Sequence, residues 1–193
     1  MHTRRIATFL LGAWIAGCLF MAFISVQNQR TPTLVMTSPP PAVATQIQQL
    51  GWEPMAALLR HAAAEQTRRY TTLWVEAQVL LALVLLGCLT MATQKRVMPL
   101  ALCATMLILV LFQLRVGPEL TYQGRQTDFP PGSLAVGPMT RFWALQQVYF
   151  GVEIVKLLCG AILAGYLFVF RTSRRAKDAL AMEPEIPRIR RAL

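Results

Sequence analysis

Six polar or charged side chains stand inside long apolar stretches of this chain: Glu76, Gln78, Gln113, Arg115, Glu153 and Lys156. Counted along helices from the ends of their runs that face one side, they fall close together. Glu76, Arg115 and Glu153 come out at ~26 Å, Gln78 and Gln113 at ~23 Å and Lys156 at ~21 Å. Ser25, Gln27 and Asn28 of the first run reach about the same height. The spacing therefore predicts one polar layer fed by every run. Its four charges, Glu76, Glu153, Arg115 and Lys156, cancel. Glu153 precedes Lys156 by three residues, so the two share a helix face and can pair. In hydrocarbon such charges are costly and must be offset by pairing or water. The favoured reading is a structural ion-pair network with Lys156 and Arg115 snorkelling outward. The alternatives are an outward-open cavity for a small polar or amphipathic ligand, and a proton relay through Glu76 and Glu153.

Other chemistry is sparse. The only histidines are His2 and His61, which leaves no bis-histidine haem pair. His61 reads as an exposed residue on a polar helix face. The sequence contains no HExxH, P-loop or GxSxG motif and no carboxylate cluster with metal-ligand spacing. The expectation is therefore a protein with no catalytic residues, no metal and no cofactor. Cys18, Cys88, Cys103 and Cys159 all fall in apolar runs, none forms a CxxC pair, and packing is the expected role.

The elements that must position the layer follow from composition. The chain has 193 residues, of which 55% are hydrophobic and only 15% charged. A soluble domain carries about 25% charge. The net charge of +10 sits in clusters beside the apolar runs, which fits membrane topology rather than nucleic-acid binding. Four runs, 6–26, 73–93, 98–116 and 148–170, are each long enough for ~30 Å of hydrocarbon. Backbone in lipid must satisfy itself, and the alternation of a barrel is absent, so these are helices. The expected fold is all-α: a polytopic four-transmembrane-helix bundle, with a basic, disordered tail at 171–193.

Positive charge sets the orientation. With both termini cytoplasmic, Arg4, Arg5, Lys95, Arg96, Arg171, Arg174, Arg175, Lys177, Arg188, Arg190 and Arg191 lie inside. Arg30, Arg60, Arg68, Arg69, Arg125 and Arg141 lie outside, so both termini are expected in the cytoplasm. A rival reading treats Ile15-Ala16-Gly17-Cys18 as a lipoprotein cleavage box, but the apolar run continues past it. In the outer segment 27–72, Arg30-Thr31-Pro32 and Ser38–Pro41 read as extended or turn-like. A short helix is expected over Ala42–Leu50, stopped by Gly51. A long helix then starts near Pro54 and either runs straight into the second span or bends along the interface. The segment 117–140, rich in Gly-Pro, reads as a loop.

Two further patterns concern packing. Val75-Glu76 with Leu80-Leu81 recurs as Val152-Glu153 with Leu157-Leu158, which suggests two repeated helical hairpins. Gly12, Ala13, Ala16 and Gly17 in the first span match Gly160, Ala161, Ala164 and Gly165 in the fourth. Such small-residue faces let backbones approach closely, and the expectation is that spans one and four dock through them.

The stretch Phe9-Leu10-Leu11-Gly12-Ala13-Trp14-Ile15-Ala16-Gly17 and the segment Arg141–Phe168 resemble a family of small four-helix membrane proteins, the bacterial relatives of eukaryotic transmembrane protein 205. The likeness covers the four spans, and it implies four membrane helices without an established activity. The functional expectation is a non-enzymatic accessory or structural subunit of the cytoplasmic (inner) membrane. Its partners would be the lipid bilayer and other membrane subunits or copies of itself, with no nucleic acid. The alternative is a small transporter or ligand-binding membrane protein that uses the polar layer.

Overall fold

The computed structural model describes residues 2–92, 97–128 and 136–182. They form five helices: α1 (His2–Thr37), α2 (Pro41–Leu50), α3 (Trp52–Ala92), α4 (Val97–Asp128) and α5 (Val136–Met182). Four of these, all but α2, are long and apolar enough to cross a membrane. They close a ring in the order α1, α3, α4, α5, each antiparallel to its neighbours, and α1 meets α5 most weakly. The fold is an all-α four-helix membrane bundle.

Each helix turns one heavy stripe inward. On α1 this is Ala7, Leu11, Trp14 and Cys18, and on α3 Ala82, Leu85 and Leu89. These spacings of three and four residues keep one face toward the centre. The outside is apolar as well: Phe9, Leu80, Ile108 and Phe168 are all more than 60% exposed. That distribution suits a solvent of acyl chains, in which outward hydrophobic residues cost nothing.

The helices are longer than the spans. α3 has 41 residues and runs without interruption, ~60 Å, so the straight course is observed and not the bent one. α2 occupies Pro41–Leu50 as expected, and Gly51 stops it with φ 86°, a conformation glycine adopts without strain. Two expected loops are instead helical. α1 continues through Pro32 to Thr37, and α4 continues through Gly117 and Pro118 to Asp128. A proline inside a helix removes one hydrogen bond. Pro32 is buried against the bundle, and Thr31 Oγ1 donates to Gln27 O at 3.0 Å. Packing outweighs the lost bond. α5 likewise runs to Met182, so 171–182 is helix rather than disordered tail. The motif Pro130-Pro131-Gly132, the turn at 93–96 and the tail beyond Met182 lie outside the described residues. The bundle therefore extends well past the apolar runs at the end away from the termini, here called the distal end.

The small-residue faces of spans one and four do not dock on each other. Gly12, Ala13 and Ala16 are exposed, because they lie opposite the Leu11–Trp14–Cys18 stripe on α1. Gly17 packs instead against the indole of Trp74 on α3. On α5, Ala161 and Gly165 are exposed and Ala164 is partly buried. Only Gly160 faces α1, lying under Leu11 and Ile15 with Met106 of α4 beside them. A bulky inward stripe, not the glycine motif, decides which face of α1 enters the bundle.

A Cβ at Gly17 would fall inside the Trp74 ring, whereas one at Gly12 meets nothing within 4 Å. Gly17→Val is expected to cost ~1–3 kcal/mol by overpacking. Gly12→Ala should be neutral or slightly stabilising. Thermal unfolding of the two variants in one detergent checks the contrast.

Candidate functional site

Lys156 is the centre of the site. Its side chain is 0% exposed, on the inner face of α5. Its Nζ donates to Gln78 Oε1 on α3 at 2.5 Å, to Glu153 Oε1 one turn back on α5 at 2.9 Å, and to Gln113 Oε1 on α4. An ammonium has three protons, and here three acceptors from three helices take them. Gln113 Nε2 donates to Glu153 Oε1 at 3.2 Å and to Tyr149 O at 3.3 Å. Gln78 Nε2 donates weakly to Cys18 Sγ on α1 at 3.7 Å. Gln78 and Gln113 are both 0% exposed. All four long helices thus contribute to one buried cluster. Trp14 Nε1, one turn before Cys18, is the one buried side-chain polar atom among the described residues without a hydrogen-bond partner.

The layer differs from the sequence expectation in four ways. Lys156 does not snorkel; it turns inward, because the two glutamines give it neutral acceptors that lipid and water at the bundle surface would otherwise have to replace. Glu76 and Arg115 are exposed and outside the cluster. Each is two residues from a buried glutamine, Gln78 or Gln113, and two residues turn a helix by ~200°. They share the height of the layer but face away from it. Ser25, Gln27 and Asn28 lie further toward the distal end: Asn28 Nδ2 donates to Thr67 Oγ1 at 3.2 Å, while Cys18 is level with Gln78. Counting from the ends of apolar runs assumes flush helices, and α1 is staggered against α3. Finally, Val75-Glu76 and Val152-Glu153 are not equivalent, since Glu76 is exposed and Glu153, with a side chain 23% exposed, joins the cluster.

A second polar system lies at the distal end, beyond the apolar runs, and the sequence reading missed it. His61, Glu65 and Arg68 are spaced four and three apart on α3 and face α4. Arg68 makes a two-pronged bond to Asp128, Nη1 to Oδ2 at 2.7 Å and Nη2 to Oδ1 at 2.9 Å. His61 Nδ1 lies 2.8 Å from Asp128 Oδ2. Arg125 Nη2 lies 2.8 Å from Glu65 Oε1, and Arg141 of α5 lies 3.1 Å from Glu119 of α4. Burial pushes the Asp128 carboxyl up, but the hydrogen bonds and charges of Arg68 and His61 outweigh it and hold the group below its ordinary value. The hydrogen bond from Arg125 holds Glu65 below the usual carboxylate range. The polar face of α3 was legible; its partners were not, because 117–128 read as a loop.

No group of three or more metal-ligating side chains occurs among the described residues. One shallow apolar groove lies between α1 and α3, lined by Met21, Ile24, Leu73 and Trp74 among others. Another lies along α1 beside Arg30. Neither includes a member of the buried cluster. Comparison with protein-family models, with characterised proteins and with solved structures finds no match to this chain.

A depressed Asp128 stabilises the folded state above the ordinary aspartate value and loses that contribution as pH falls through its lower folded value. Asp128→Asn should therefore cost ~1–2 kcal/mol at pH 7, the worth of charged hydrogen bonds in a half-buried site. The difference between wild type and variant should shrink as pH falls below the ordinary value of 3.8 toward the lower folded one. Thermal melts of the pair at pH 7, 5 and 3 read this out.

Proposed function

We propose that this chain is a non-enzymatic accessory or structural subunit of the cytoplasmic membrane, with both termini on the cytoplasmic side and the distal helices outside. The observation that carries the reading is the completeness of the Lys156 cluster. Every proton of the ammonium has an acceptor within the chain, and those acceptors sit on α3, α4 and α5. A substrate site leaves valence for its ligand, and this ammonium has none to spare. Its chemistry is that of a pin fixing the register of three helices, a known use of buried polar groups. The orientation rests on basic residues, eleven at the terminal side against six at the distal side. The likeness to the bacterial relatives of transmembrane protein 205 agrees with four spans and adds no chemistry.

A second reading, a small transporter or ligand-binding protein, draws on the partial exposure of Glu153, whose side chain is 23% accessible. The two readings separate on Lys156→Met. A structural pin predicts a loss of ~2–4 kcal/mol, because two buried glutamines and the half-buried Glu153 are left without their cation. Adding Glu153→Leu should recover part of that loss, and activity in cells should follow stability. A ligand site predicts the opposite: a Lys156→Met protein that melts like wild type and yet has lost its function. Melting temperature and complementation, measured on the same variants, decide between them.

A further inference from the structure

The two charges left out of the cluster, Glu76 and Arg115, are matched in height and direction and opposite in sign. Lys156 bonds both Gln78 and Gln113, so these residues are level across α3 and α4. Glu76 and Arg115 each stand two residues further toward the distal end, ~3 Å, on antiparallel helices. They are therefore level with each other. Their directions follow from the helical turn. Trp74 of α3 faces α1, and Val75 and Arg68 face the core and α4. Continuing round in the same sense, Glu76 comes ~80° beyond Arg68, on the lipid side of the α3–α4 seam. On α4, Gln113 faces α5, Cys103 reaches Ala82 of α3, and Arg115 lies beyond that side, outward. Both side chains are exposed, and the ion pairs among the described residues leave both out.

We propose that the α3–α4 face binds a second copy of this chain in a two-fold dimer, with Glu76 of each copy paired to Arg115 of the other. A two-fold axis along the membrane normal, passing through the seam, sets α3 of one copy against α4 of the second. One operation then makes both ion pairs, because the face is self-complementary. Below the charges the face is apolar. Leu80 and Leu83 on α3 are 67% and 50% exposed, and Ile108 on α4 is 65% exposed. One turn below Leu83, Gly87 is exposed with nothing within 4 Å of its Cβ position, which leaves room for a neighbouring helix to approach closely. Apolar contact alone gives little drive in lipid, so the paired charges supply the selectivity for a like copy. The proposal uses a different surface from the Lys156 cluster and stands whether or not that cluster is purely structural.

The experiment uses full-length chains with donor and acceptor fluorophores at the C-terminus, reconstituted in bilayers. Wild-type copies should show energy transfer that depends on protein-to-lipid ratio, as a dimer does. Glu76→Arg puts two positive charges at each contact, and Arg115→Glu puts two negative ones; each alone should weaken self-association about tenfold or more. An equal mixture of the two variants should regain association, since each contact again has opposite charges. A single chain carrying both substitutions should also regain it. Because both residues face outward, helix content and melting temperature should stay at wild-type values. The proposal is overturned by a monomeric wild type, by single variants that associate normally, by a mixture that does not recover, or by association only with a different membrane protein.

Discussion

An ammonium group enclosed by apolar helices has no water to take its protons, so the protein must supply an acceptor for each. In this bundle that requirement organises the layer around Lys156. Gln78, Gln113 and Glu153 reach it from α3, α4 and α5, and Cys18 of α1 touches the edge through Gln78. A slip of one residue along any of these helices would turn its acceptor by ~100° and carry it ~1.5 Å along the axis. The register of the four helices is thus tied to one cation. Hydrocarbon contacts between Leu, Val and Met side chains tolerate sliding far better, and lipid offers them no penalty for separating.

At the distal end the solvent changes and so does the adhesive. The helices continue beyond the apolar runs, and α3 joins α4 through Arg68, Asp128, His61, Glu65 and Arg125. These pairs are partly exposed and are individually modest. They act on helices already aligned by the buried layer and hold straight a segment of α4 whose Gly117-Pro118 would otherwise favour a turn. The register set inside the membrane and the ion pairs outside it are mutually consistent: Gln78 faces Gln113 and, ten residues away along α3, Arg68 faces Gly124 and Asp128.

The four helices and the height of the polar layer were legible from apolar run length and residue counting alone. Lys156 and Glu153 were legible as a pair because a spacing of three fixes a shared face. What counting could not supply was rotation. Glu76 and Gln78 differ by two residues and look alike in depth, yet one faces lipid and the other the cation. Only the neighbours of α3 decide which. The same gap hid the docking face of α1, where the stripe of Leu11, Trp14 and Cys18, opposite the glycine motif, enters the core. The distal ion pairs were missed for another reason. Gly117-Pro118 is a strong local signal for a loop, and tertiary packing overrode it.

The seal that protein acceptors form around the Lys156 ammonium is tested most directly by nitrogen-15 NMR of lysine side chains in the reconstituted protein. The chain has three lysines, Lys95, Lys156 and Lys177. One Nζ resonance should keep its protons against solvent exchange, show couplings to side-chain amides of glutamine, and vanish in Lys156→Met. If all three Nζ groups exchange at the rate of a solvated lysine, the cation is not enclosed and its acceptors do not set the register of the bundle.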